Sequence, residues 1–389
     1  TYILSGDDMK RTTFLGVVLV VVTILFFIYV TTKEAEASPT VNEEHEVRGV
    51  FVSYIDLENH FEQQSETGVR QEIDRMVQNL KQDGFNLLIL QVRSHMDAIY
   101  SSSLFPKSSY LEGVDLTQFD PLSYFIEVCH ASSIQIYAWI NPYRIGKVSK
   151  EEVSLYPYYD LISDSICKVE DTLYLNPAKE EVTNLLLEGI KEVLQYPVDG
   201  ILFDDYFYPS MDIDQQEYYS SGMEDVSEFH LQVINQMVQQ VYELVHSYQK
   251  VFGISPSGNI ENNYSSIGAD VATWAREDGY VDFLMPQIYY GFRNVAKPFI
   301  ETVNEWNALI PNERIPMYIA LALYKEDTED EYAGNGKLEW IEESDILKRQ
   351  VLLSRNLSNY HGFSIFRYDN AYQGESDEFS NLKELVTTS

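Results

Sequence analysis

Eight short apolar runs, separated by amphipathic segments, constrain this chain more than any other feature. The runs are Val47–Tyr54, Leu87–Val92, Gln135–Ile140, Gly200–Phe203, Val251–Ser255, Phe283–Ile288, Met317–Leu321 and Gly362–Phe366. Each is nearly continuous in apolar residues, as a strand covered on both faces requires. The segments between them read as helices. Val69–Asp83 carries Ile73, Met76, Val77 and Leu80 at helical spacing, and Asp120-Pro121 opens another helix with proline in its first turn. Glu180–Gln195, Val226–Tyr248, Pro298–Leu309, Glu343–Ser358 and Asp377–Val386 continue the alternation. Eight βα units in a row predict an α/β fold, a (β/α)8 TIM barrel over residues 47–389. A doubly wound sheet is the alternative, but no Gly-x-Gly-x-x-Gly follows the first run.

Several predicted βα connections are long: 93–119, 141–179, 206–225 and 322–342. In a barrel these all lie on the C-terminal face, where they would shape a groove for an extended substrate. With 389 residues and 45% hydrophobic content, the chain can bury a large core. Its net charge of -34 argues against nucleic acid and against adhesion to anionic lipid.

The N-terminal stretch reads differently. Met9-Lys10-Arg11 precedes an apolar run, Phe14–Val30, and then Ala35-Glu36-Ala37. A basic start, an apolar middle and an Ala-x-Ala site form an export signal. Met9 is the more natural start, so residues 1–37 read as a pre-sequence with a signal peptide or signal anchor. Residues 38–46 read as a linker. The span 14–32 is either removed after Ala37 or kept as a membrane tether. Lys10 and Arg11 place the body outside the cytoplasm in both cases. Two cysteines, Cys129 and Cys167, read as buried thiols rather than a bridge. Seven scattered histidines give no zinc-binding pair, so no metal is expected.

The chemistry concentrates at strand ends. The fourth run passes directly into Asp204 and Asp205, followed by Tyr206, Phe207, Tyr208 and Pro209. Acids at the C-terminal end of a barrel strand, with aromatic rings beside them, suit a carbohydrate-active hydrolase. Gln91, Arg93 and Asp97 follow the second run. Asn141, Tyr143 and Arg144 follow the third, and Gln287 and Tyr289 end the sixth. Amide side chains suit sugar hydroxyls or an acetamide, and tyrosines suit stacking. The two arginines could hold a sugar carboxylate or form structural ion pairs. Neighbours on a regular strand point to opposite faces. Asp204 and Asp205 therefore converge only if the chain leaves the strand between them.

Longer motifs carry a resemblance. Gln91-Val92-Arg93 with Asp97-Ala98-Ile99-Tyr100 resembles the glycosyl-hydrolase-like 10 family of bacterial barrel proteins, as does Trp139 through Arg144. Leu175-Asn176-Pro177, Asp199 through Pro209, Gly253-Ile254-Ser255-Pro256 and Pro286-Gln287-Ile288-Tyr289 match as well. The resemblance covers roughly residues 46–325 and is looser beyond the seventh run. It implies a barrel glycosidase acting on bacterial cell-wall glycan, with peptidoglycan strands stripped of peptide as the associated substrate. The fourth run also resembles the chitinase-like layout, in which the substrate's acetamide acts as nucleophile. Phe207 stands where that layout has a catalytic Glu. The expectation is therefore Asp205 as general acid and Asp204 as stabiliser of the acetamide or oxocarbenium ion. Hydrolysis of this kind needs no cofactor. A non-catalytic cell-surface glycan-binding barrel and a hydrolase of exopolysaccharide are the rival readings.

Overall fold

The computed structural model describes residues 46–386. The signal or anchor expected within residues 1–37, and linker residues 38–45, lie outside the described residues. No helix among the described residues is long and apolar enough to cross a membrane.

Among the described residues, eleven strands form two sheets. The first three are β1 (Val47–Val52), β2 (Leu87–Arg93) and β3 (Gln135–Ile140). β4 (Arg144–Gly146), β5 (Ile166–Val169) and β6 (Thr172–Leu175) make a small separate sheet in the order β4-β6-β5. β7 (Gly200–Phe203), β8 (Val251–Ile254), β9 (Phe283–Leu284), β10 (Met317–Leu321) and β11 (Tyr360–Ile365) complete the set. Eight of them close a parallel barrel in the order β1-β11-β10-β9-β8-β7-β3-β2. The third, fourth and seventh predicted runs match their strands residue for residue.

The sixth run is the main departure. Regular pairing stops at Leu284, and Gln287 then makes isolated bridges to Ser257 and Ala320. Pro286 lacks the N–H that a continuous ladder needs. The first run is shorter too. Ser53 caps a helix, Tyr54–Phe61, and Asp56 accepts from the Ser53 backbone N–H at 2.7 Å. Glu46, expected in the linker, is fully buried and ion-paired with Arg355 at 2.8 Å. Cys129 is a buried free thiol, while Cys167 is free but only half-buried.

Period-two alternation sorts each barrel strand. Leu88, Leu90, Ile136 and Ile201 face the helices. Leu87, Ile89, Tyr137, Leu202, Phe283 and Ala320 fill the barrel itself. The outer helices carry matching stripes. Glu66–Gln82 buries Val69, Ile73, Met76, Val77 and Leu80, and Glu180–Leu194 buries Val182, Leu185, Leu186, Ile190 and Val193. Carboxylates close the lower ends of two strands. Asp199 accepts from the Ile136 N–H at 2.8 Å and pairs with His130 at 3.0 Å. Asp282 accepts from the Phe252 N–H at 2.7 Å and pairs with His246.

Candidate active site

The interior ladder continues upward past the apolar layers. Two residues beyond Ile89 comes Gln91, two beyond Trp139 comes Asn141, two beyond Leu202 comes Asp204, and two beyond Met285 comes Gln287. Alternation therefore turns all four towards the barrel axis at its C-terminal mouth. β7 ends at Phe203, so Asp205 is released from the strand's alternation. Both acids line a single cavity of about 340 Å³, together with Gln91, Arg144, Tyr206, Gln287 and Tyr289.

The two carboxylates receive unequal sets of donors. Asp204 is buried. Its Oδ2 accepts from the Trp139 indole N–H at 2.9 Å and the Asn141 amide at 2.6 Å. Its Oδ1 accepts from the Tyr206 backbone N–H at 3.1 Å. A chain of donors backs this up: the Tyr54 N–H donates to Gln91 at 2.8 Å, and Gln91 donates to Asn141. Asp205 is half-buried and has one protein donor, the Gln287 amide at 3.0 Å, which also donates to the Ser255 carbonyl. Burial and the Asp205 charge push the Asp204 carboxyl up to about 7, and burial raises Asp205 as well. Adjacent carboxyls titrate as one unit, so the pair keeps one proton into the neutral range. Three N–H groups aimed at Asp204 offset part of the effect of its burial.

Aromatic rings wall the cavity. Phe51 meets Trp139 edge-on at 5.4 Å between centroids, and Phe366 lies 6.0 Å from Tyr289. Tyr324 closes the row edge-on to Tyr289 at 5.8 Å. The Tyr289 hydroxyl makes no hydrogen bond to the protein. Tyr206 is 51% exposed at the rim, with the Arg144 guanidinium 5.0 Å from its ring centre. Arg144 is anchored from behind by its Nε donating to the Ser94 carbonyl at 3.0 Å. Such walls fit the apolar faces of pyranose rings, and the amides and acids fit their polar edges.

Four residues expected at the site lie elsewhere. Arg93 is fully buried against the outer helix Glu180–Leu194, where a Cβ on Gly189 would collide with its guanidinium. A register shift between Gln91 and Arg93 breaks the alternation and turns Arg93 away from the mouth. Its guanidinium lies 4.3 Å from the centre of the Phe105 ring, with the Tyr100 hydroxyl beside it. Tyr143 is fully buried beneath the small sheet. Tyr208 is buried and donates to Asp214 at 2.7 Å. Asp97 lines a neighbouring cavity rather than this one. Phe207 is buried and packs on Trp274, so its position supplies no third acid.

Other residues reach the site as well. Trp139 sits on the same inward alternation as Asn141, which was legible in the sequence. Tyr54, Tyr324 and Phe366 come from the ends of other strands, and only closure of the barrel brings them in. Among the described residues, no group of three or more His, Cys, Asp or Glu is arranged to hold a metal.

With this geometry in view, similarity to known proteins is informative. The family model for Glycosyl hydrolase-like 10 matches residues 46–333. The chain is 28% identical to glycosyl hydrolase YngK of Bacillus subtilis over 75% of its own length, but it spans only 62% of that relative. It is 26% identical to glycosyl hydrolase DigH of Escherichia coli K12, covering 76% of this chain and 75% of DigH. Among solved structures, the PgaB (BpsB) glycoside hydrolase domain of Bordetella bronchiseptica shares the fold. It superposes with a TM-score of 0.59 at 14% identity, covering 88% of this chain and 99% of that domain. The match runs from Glu46 at the foot of β1 to the loop after β10, and the chain belongs to the glycosyl hydrolase-like 10 family.

Proposed function

We propose that this protein is a glycoside hydrolase that cleaves N-acetylated cell-wall glycan, peptidoglycan strands without peptide in the first place. One observation carries the reading. Two adjacent acids share an aromatic-walled cavity, one held by three N–H donors and the other by one. In the reaction, Asp205 delivers its proton to the glycosidic oxygen as the bond to the anomeric carbon breaks. The substrate's acetamide oxygen attacks that carbon, and the Asp204 carboxylate accepts the acetamide N–H and balances the positive charge. The Tyr289 hydroxyl is placed to donate to the acetamide oxygen. Water then opens the cyclic intermediate and returns a proton to Asp205. Gln91 and Asn141 hold Asp204 in its orientation, and Gln287 does the same for Asp205. Arg144 and Tyr206 form the rim on which the next sugar rests. The basic-apolar N-terminus supports export, with the barrel on the outer side of the membrane or in the wall.

The test uses purified protein and its Asp205→Asn variant on intact peptidoglycan, peptide-free strands, N-acetylglucosamine polymers of exopolysaccharide type and chitin oligomers. Mass spectrometry reads the products. New reducing ends from the parent protein alone, most from peptide-free strands, are the expected result. Retention of glycan without any cleavage would make the barrel a binding module, and preference for exopolysaccharide would move the substrate.

A further inference from the structure

We infer that Arg144 is a specificity-determining residue, which selects glycans by holding a carboxylate on the sugar at the rim. This rests on the glycan reading above and adds to it a free acid group on the preferred strand. From sequence, either strand-end arginine suits a sugar carboxylate or a structural ion pair, and the fold separates the two. Arg93 is fully buried and turned from the mouth, whereas Arg144 is half-buried and lines the catalytic cavity. Among the described residues, Arg144 is the only basic side chain in that lining.

The guanidinium is held in place but not neutralised. β3 ends at Ile140, Tyr143 is buried, and Arg144 then opens β4 opposite Tyr174. Its Nε donates to the Ser94 carbonyl at 3.0 Å. The ring centres of Tyr206 and Tyr54 lie 5.0 and 5.4 Å from its central carbon. Such rings orient a guanidinium and leave its charge in place. Nη2 has one long contact, 3.4 Å to the Asn141 side-chain oxygen, and Nη1 has no acceptor among the described residues. No carboxylate among the described residues forms an ion pair with Arg144. Acids are not scarce, since the chain has 61 Asp and Glu against 27 Lys and Arg. Arg314, Arg355 and Arg367 each pair with one, at Asp278, Glu46 and Asp56. The acids of the cavity are engaged elsewhere: Asp204 takes its three N–H donors and Asp205 takes the Gln287 amide. His95 adds no charge at neutral pH, since burial and Arg144 lower it to about 4.

A carboxylate matches what Arg144 has left. Its two oxygens accept from the guanidinium fork as a charge-assisted pair, where a hydroxyl or an acetamide oxygen accepts without charge. A guanidinium already fixed by its Nε and by two rings loses little freedom on binding. Two sugar types carry the group. A muramic sugar bears it on a lactyl arm, free only where no peptide is attached, because the amide link removes the charge. A uronic acid bears it directly on the ring. Arg144 is only half-buried, so the selectivity is moderate and weakens with salt.

The test measures binding apart from turnover. Calorimetry on the Asp205→Asn protein compares peptide-free muramic tetrasaccharides with the same molecules whose lactyl carboxyls are methylamides. A second arm compares a uronic-acid oligomer with its methylamide. The expected result is about tenfold tighter binding of the acid form in at least one arm, lost in high salt, and the arm that shows it names the source of the carboxylate. Adding Arg144→Gln should bring the acid-to-amide ratio to about twofold or less. Arg144→Lys, which keeps the charge without the fork, should fall between. A purely structural role for Arg144 would weaken acid and amide alike and leave their ratio where it was. If Arg144→Gln fails to fold, the comparison of acid with amide at low and high salt still decides, with Arg144→Lys. Equal binding of acid and amide in both arms, or a ratio untouched by Arg144→Gln, would overturn the assignment. The hydrolase reading fails separately, through absence of cleavage by the parent protein, and acid selectivity without cleavage would leave the role of Arg144 standing.

Discussion

The two ends of β7 carry carboxylates five residues apart that live in opposite surroundings. Asp199, at the lower end, accepts from one backbone N–H of the neighbouring strand and pairs with the His130 imidazole. Asp204, at the upper end, is wrapped by neutral donors, with a second carboxyl as its chain neighbour. The lower acid is a latch between strands, sited where a partner able to carry positive charge can reach it. The upper acid is buried without such a partner in bonding contact, and its proton affinity rises as a result. The same residue type on one strand thus joins strands at one end and lines a cavity at the other, and the neighbours decide which.

The comparison breaks most sharply through turnover. Asp205→Asn should cut kcat by about 10²- to 10⁴-fold, the usual weight of a positioned proton donor, without loss of stability. If cleavage rates survive in a folded variant, the pair is not the proton source. At the other end, Asp199→Ala should cost about 1–3 kcal/mol in denaturant unfolding, because the Ile136 N–H loses its acceptor, while kcat holds. A fall in kcat with stability intact would erase the distinction between the two ends.

pH sharpens the same contrast. Both upper carboxyls are raised above their ordinary value of 3.8. Their contribution to stability is therefore fully present below that value and is lost as pH rises through about 7. Asp205→Asn removes the repulsion, so the variant should gain on the parent protein as pH climbs, by on the order of 1 kcal/mol per unit at most. Denaturant melts at stepped pH check this. Cleavage should fall over the same range as the shared proton leaves. A smaller effect is expected at the rim, where Tyr206→Ala should raise KM about fivefold through lost stacking, readable in initial rates. The smallest concerns Arg93. Arg93→Met should leave KM unchanged, since Arg93 lies outside the catalytic cavity, and stability the same or slightly higher, since burying the guanidinium costs about what its partners return.

Much of this was readable before any coordinates. β3, β7 and β10 stand where the apolar runs end, because buried parallel strands need that continuity. Asp204, Asn141, Gln91 and Gln287 followed from their place at strand ends. The misplacements have specific causes. Arg93 was lost to an irregularity in β2 that no residue in Gln91-Val92-Arg93 announces. β9 was overextended because Pro286 ends its ladder while the apolar run continues. Tyr143 and Tyr208 follow the third and fourth runs and are expected as stacking rings, yet loop packing buries both. The small sheet of β4, β5 and β6 went unread, since strands of three or four residues leave little pattern. Tyr324 and Phe366 depend on contacts between opposite sides of the barrel, which local sequence does not encode.

That small sheet has a consequence for how such proteins diversify. β3 pairs directly with β7, and the three strands between them pair only with one another. The ring of barrel hydrogen bonds therefore closes without any residue from Arg144 to Leu175. Yet this insert supplies Arg144 to one cavity and Ile145 to Val148 to the other. Evolution can thus rewrite this stretch, lengthening or recharging it, while the acid pair stays on its own strand, so that preference among glycans is inherited separately from the capacity to cut them.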